Sequence, residues 1–152
     1  MRNAIFMYWE NALGSQGMPT FVRLCINSVD RNRGAAPLLL LNEYSISDYL
    51  PDLRPEWRHL EKPAHKADYV RIRLVLKYGG MWLDSDMVAL DDLSPLLDIP
   101  QPYDFACQDI SSAIGCFVAR PGCQLLQKVA EAQDHILDQN PDGFAWNGIG
   151  ND

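Results

Sequence analysis

Two carboxylates one residue apart, Asp84 and Asp86, follow directly on the apolar run Met81 to Leu83. Side chains alternate along a strand, so Trp82, Asp84 and Asp86 would share one face wherever the extended form persists. A carboxylate pair of this kind suits a hard divalent cation. Mg²⁺ or Mn²⁺ takes oxygen ligands and keeps positions open for water and phosphate oxygens. Ligands of open α/β sheets gather at the carboxyl ends of strands, which is where this pair stands. Asp-x-Asp is common by chance in acidic loops, and its setting is what singles it out: an apolar strand before it, and Gly79-Gly80 shaping the turn ahead of that strand. Asp91-Asp92 lacks such a setting and reads as solvated loop.

Asp68 and Arg71, three residues apart, are neighbours on a helix surface, and Ile72 and Val75 extend the same face. A charged pair on an apolar face either looks into a cleft or forms an ordinary salt bridge at an edge, and spacing alone leaves both readings open. His59, His65 and His135 make no HxH or HxxxH pair and read as surface or packing residues rather than ligands.

The elements that must position these groups alternate between strand and helix. Ala4 to Trp9 and Pro37 to Leu41 are apolar runs of strand length, and Pro19 to Arg31 lies between them with helical spacing and proline near its first turn. Ser45 to Leu50 reads as a short helix capped by Ser45 or Ser47. Ala64 to Tyr78 is the strongest helix, with Ala67, Val70, Leu74 and Tyr78 in one stripe, Lys66, Arg73 and Lys77 on a solvated basic face, and the glycine pair as its stop. Further strands are expected near Phe105 and over Ile114 to Ala119. A last helix over Gln124 to Leu137 would bury Leu125, Val129, Ala132 and Ile136. This alternation predicts an α/β sandwich on a largely parallel sheet.

The segment His65 to Arg71, then Leu74 to Tyr78, Gly79-Gly80, Met81-Trp82-Leu83 and Asp84-Ser85-Asp86, resembles the DxD "sugar-binding region" glycosyltransferases. That group includes bacterial capsular polysaccharide synthesis proteins, the yeast initiating α-1,6-mannosyltransferase and the catalytic domains of clostridial glucosylating toxins. The likeness covers about residues 4 to 150 and is strong from 65 to 90. It implies a GT-A-like, Rossmann-type sandwich. It also implies transfer of a sugar from a UDP- or GDP-sugar donor to a saccharide or other hydroxyl acceptor, with Mn²⁺ or Mg²⁺ as cofactor. On this resemblance Asp68 contacts ribose or sugar and Arg71 reaches the sugar or diphosphate. Trp82 is the aromatic before the motif, Asp84 lies near ribose and metal, and Asp86 is the direct metal ligand. Trp9, at the end of the first strand, lies beside the base, with core packing as its plain alternative. The resemblance favours retention of configuration without a separate general base. Ser111 to Gly115 stands where relatives carry an Asn-containing donor loop, and the Asn is missing.

Bulk properties fit one globular domain over residues 1–152, with 47% hydrophobic and 22% charged residues. A net charge of −7 argues against a nucleic-acid partner but not against a nucleotide, whose phosphates a cation can bridge. The four cysteines form no CxxC pair and read as reduced, mostly buried thiols. No signal peptide or transmembrane span is legible. The expectation is a cytoplasmic protein, with peripheral attachment to the inner membrane face left open. The ending, Trp146 to Asp152, does not read as a natural stop, so a fragment of a longer chain is expected. Two other functions remain. One is an aspartate-nucleophile phosphatase of haloacid-dehalogenase type, although these usually open the domain with their DxD strand and follow the motif with Gly or Thr. The other is a nucleotide-sugar-binding module without turnover.

Overall fold

The computed structural model describes residues 3–11, 14–108, 114–140 and 149. Four helices and five strands carry the architecture: β1 Ile5–Tyr8, α1 Thr20–Asn32, β2 Leu38–Leu41, α2 Ile46–Tyr49, α3 Pro63–Tyr78, β3 Gly80–Leu83, β4 Phe105–Cys107, β5 Cys116–Ala119 and α4 Gln124–Gln139. The sheet order is β2-β1-β3-β5-β4. β1 pairs in parallel with β2 and with β3, while β5 runs antiparallel to both β3 and β4. Four strands therefore share one direction and β5 opposes them, so the sheet is parallel at β2-β1-β3 and mixed beyond.

β1 and β3 are buried at every position, and their alternation feeds two cores. Phe6, Tyr8 and Trp82 face α3 and α4, with Trp57 and Ile46 in the same cluster. Ile5, Met7, Met81 and Leu83 face the other way, against Val29 of α1 and the 89–99 segment. Each large apolar side chain so buried contributes about 1.5–3 kcal/mol. The chain leaves β1 toward β2 on one side and returns as β3 on the other. This makes the β1/β3 boundary a switch point, where a crevice opens at the carboxyl ends of the strands. Gly80 is required there: it takes φ +102°, and a Cβ would collide with the carbonyl of Ala4, the residue that leads into β1.

Several sequence expectations shift by packing. The Pro51–Pro63 loop contains a 3₁₀ turn, Pro55–His59, that drives Trp57 into the core at 1% exposure. Ser45 precedes α2 without capping it; its hydroxyl instead accepts the Asn42 N–H. The face expected to be solvated on α3 is not: Lys66 is buried and Arg73 half-buried, and only Lys77 is exposed. Lys66 is taken up by Glu10 and Glu43, and Arg73 by α4, which packs along α3. Arg73 is held there by Gln133 Oε1 at 2.7 Å and Asp134 Oδ1 at 2.6 Å. α4 is rotated relative to expectation. It buries Leu126, Ala130, Gln133 and Leu137, while Leu125 is 49% exposed. All four thiols are free, but only Cys25 and Cys123 are buried; Cys107 is exposed on β4, the sheet's edge strand. Among the described residues no helix is long and apolar enough to cross a membrane.

Candidate active site

The crevice at the β1/β3 boundary is a cleft of about 520 Å³. Trp9, Asp68, Trp82, Asp84 and Asp86, five of the six residues singled out in the sequence, line it. They arrive from three elements. Trp9 follows β1, its N–H bonded to the Leu41 carbonyl, and its indole Nε1 donates to Asn11 Oδ1 at 3.0 Å. Asp68 comes from the first half of α3. Trp82 is buried at 1% exposure, and its Nε1 donates to Asp84 Oδ1 at 2.7 Å, so core packing sets the carboxylate's orientation.

The extended form does not persist through the motif. The Asp84 N–H donates to the Gly115 carbonyl, and the Met87 N–H returns to the Asp84 carbonyl at 3.1 Å, closing a turn. Trp82 and Asp84 share a face as expected, but Asp86 leaves the strand line and stands exposed in the turn. The Cys25 thiol of α1 donates to the Asp86 carbonyl at 3.4 Å, tying this turn to the helix on the other face of the sheet.

Arg71 is placed differently from the other five. It lies behind the cleft wall at 4% exposure, with NH2 at 2.8 Å from Asp68 Oδ1 and NH1 at 3.6 Å from Asp84 Oδ1. Its geometry is that of a clamp joining two carboxylates. Its Nε, also buried, has no hydrogen-bond partner among the described residues. The i, i+3 pairing is thus both a salt bridge and part of the cleft, so the two readings of the sequence were not exclusive. His65 is buried at 3% exposure, one turn before Asp68.

Burial governs the ionisation of this group. Desolvation raises the Asp68 and Asp84 carboxyls above their usual range, against the opposing pull of Arg71, and the Asp86 charge pushes Asp84 further up. Desolvation lowers Arg71, while both aspartates favour its charged form. For Asp68 the folded state then binds more protons than the unfolded chain just above the ordinary value of 3.8, so its contribution to stability falls as pH rises through that window. In thermal melts from pH 4 upward the stability of the unaltered chain relative to Asp68→Asn is expected to fall as pH rises; a difference that does not change with pH would mean the carboxyl is not desolvated.

Whether the residues suit a divalent cation can be judged from their chemistry. Among the described residues no three His, Cys, Asp or Glu side chains are grouped to hold a metal. Asp84 and Asp86 offer two carboxylates at the cleft, a set that fits Mg²⁺ or Mn²⁺, which fills its remaining positions with water and phosphate oxygens. Space has been kept for the other oxygen of Asp84, the one that Trp82 and Arg71 do not hold: a Cβ on Gly115 would stand 2.6 Å from Asp84 Oδ2. Sequence reading placed Gly115 in a donor loop, of which residues 111–113 lie outside the described residues, and missed its contact with Asp84. Gly115→Ala is expected to weaken nucleotide binding on the order of tenfold to a hundredfold by displacing that oxygen, with the thermal transition retained. Unchanged affinity in calorimetry would show that Asp84 Oδ2 has room to spare.

Sequence reasoning also missed the pairing of Glu10, which lines the cleft, with buried Lys66, Nζ to Oε1 at 2.7 Å. The signal was a carboxylate two residues past the end of β1, the strand beside the one that carries the Asp-x-Asp.

The fold has a solved counterpart. A structure titled PaToxG glycosyltransferase superposes with a TM-score of 0.72 at 11% identity, covering 98% of this chain and 64% of that one. This chain therefore spans a little under two thirds of its length and shares its α/β architecture. No curated protein sequence matches the chain. The family model of capsular polysaccharide synthesis proteins matches residues 1–109, a span containing the helix pair, the glycine turn and both motif aspartates. The chain belongs to the capsular polysaccharide synthesis protein family.

Proposed function

We propose that this chain is the donor-binding domain of a metal-dependent glycosyltransferase. It moves a sugar from a UDP- or GDP-sugar to the hydroxyl of a saccharide or other acceptor, in surface polysaccharide synthesis. The observation that carries this reading is the joining of Asp68 and Asp84 through buried Arg71 at the switch-point cleft, with Asp86 at the same opening. Two carboxylates meet the guanidinium and Asp86 adds a third at the same opening, so the site is negative by formal charge and would repel a bare diphosphate. A cation reconciles the site with that ligand. Mn²⁺ or Mg²⁺ on Asp84 and Asp86 would supply charge neutralisation for the departing nucleoside diphosphate.

The chain's own residues do the rest. Asp68 accepts a hydrogen bond from a ribose or sugar hydroxyl. Arg71 holds Asp68 and Asp84 in fixed relation, so that the electrostatic field is set before the donor arrives. Trp9, half-buried at the lip, gives the base an aromatic face. The test is to incubate the chain with UDP- and GDP-sugars, Mn²⁺ and a panel of saccharide acceptors, following nucleoside diphosphate release and product. Release that EDTA abolishes is expected. Binding without any release would make the chain a binding module. Hydrolysis of phosphomonoesters through a covalent Asp84 phosphate would make it a phosphatase.

A further inference from the structure

Glu10 and Lys66 are unexplained by the reaction above. Glu10 is half-buried and Lys66 buried where the cleft follows β1, with side-chain exposures of 12% and 9%. Against an apolar replacement such a pair adds little stability, because desolvation offsets the attraction. Its effect is to fix a carboxylate. Lys66 Nζ donates to Glu10 Oε1 at 2.7 Å and also lies 3.8 Å from Glu43 Oε2. Tyr8 donates its hydroxyl to Glu10 Oε2 at 2.6 Å. Burial first, then the Glu10 carboxylate itself, holds the Tyr8 hydroxyl far above its ordinary value, so it remains a donor at any working pH. Each Glu10 oxygen thus has one protein partner and retains acceptor capacity. Glu10 and Trp9 line the same cleft, as consecutive residues.

We propose that Glu10 reads the donor's base and selects guanine. The inference rests on the donor-binding reading and narrows its substrate to GDP-sugars. Guanine's Watson–Crick edge presents N1–H and N2–H side by side, two donors matched to the two oxygens of one carboxylate. Uracil presents one N–H between two carbonyls, which a carboxylate repels. Adenine and cytosine pair an amino group with a ring-nitrogen acceptor and offer one donor on that edge. A carboxylate held on both oxygens by Tyr8 and Lys66 cannot turn freely to suit those edges, and an acceptor left unmatched penalises the wrong base.

Calorimetric titration of the chain with GDP, IDP and UDP, each with Mn²⁺, tests this. GDP is expected to bind about tenfold or more tightly than UDP, the discrimination a bidentate pair provides. IDP, which keeps N1–H and lacks the 2-amino group, is expected to bind several-fold more weakly than GDP. Glu10→Gln is expected to reduce the GDP preference to below about threefold. Equal binding of GDP and UDP, equal binding of GDP and IDP, or a preference unchanged in Glu10→Gln would overturn the inference while leaving the donor site in place. If no nucleotide binds, the donor-binding reading fails and this one with it. The GDP and IDP comparison uses the unaltered chain, so it decides the matter even where Glu10→Gln does not fold.

Discussion

Asp86→Ala is expected to erase the metal dependence of nucleotide binding. With Mn²⁺ the unaltered chain should bind its nucleoside diphosphate on the order of a hundredfold more tightly than in EDTA, because a cation contributes several kcal/mol where phosphate meets carboxylate. Asp86 is exposed in the turn after β3 and has no structural bond of its own side chain among the described contacts, so its loss should leave the fold intact. Asp91→Ala, in the exposed loop beyond, is the control and should retain the full metal effect. Calorimetry in both buffers reads the difference. Equal affinity of the unaltered chain with Mn²⁺ and with EDTA would remove the metal from the account.

Arg71→Met should have the largest effect on stability. Arg71 is nearly inaccessible, and its loss leaves the buried Asp68 carboxylate without its counter-charge and Asp84 with one partner fewer. Breaking a buried pair by removing one member costs about 3–5 kcal/mol. In a domain of this size that lowers the melting temperature by roughly 10 °C or more. Adding Asp68→Asn to Arg71→Met should recover part of the loss, since it removes the stranded charge. Arg71→Lys should rescue poorly, because one ammonium cannot span two carboxylates as the guanidinium fork does. A melt of Arg71→Met within a degree or two of the parent would place the guanidinium in solvent and dissolve the clamp.

What the sequence revealed and what it hid divide along local and non-local lines. α3 was legible because its stripe and the glycine pair are written within one segment, and β3 because it is an apolar run ending in charge. The pairing that ends at Asp84 was not, since its N–H bonds to Gly115, 31 positions away in the chain, and only beyond that bond does the chain turn. The basic face of α3 was misread for the same reason. Lys66 and Arg73 are solvated only if nothing packs on them, and their partners, Glu10 and Asp134, lie far away in sequence. α4 was assigned the wrong face because its apolar residues form two overlapping stripes. The deciding residue, Gln133, is polar: buried at 2% exposure, its amide donates to the Asp68 carbonyl at 3.0 Å and to the Ile149 carbonyl at 2.9 Å. A hydrophobic pattern cannot announce a buried glutamine.

The central claim is that one cleft joins a cation on the motif aspartates to a nucleotide beside Trp9. A crystal of this chain grown with Mn²⁺ and GDP or UDP, measured near the manganese absorption edge, tests it in one map. The account predicts an anomalous peak touching the Asp86 and Asp84 carboxylates, with the diphosphate against it and the base on Trp9. A nucleotide seated in this cleft with manganese elsewhere, or a nucleotide bound outside the β1/β3 crevice, would contradict it.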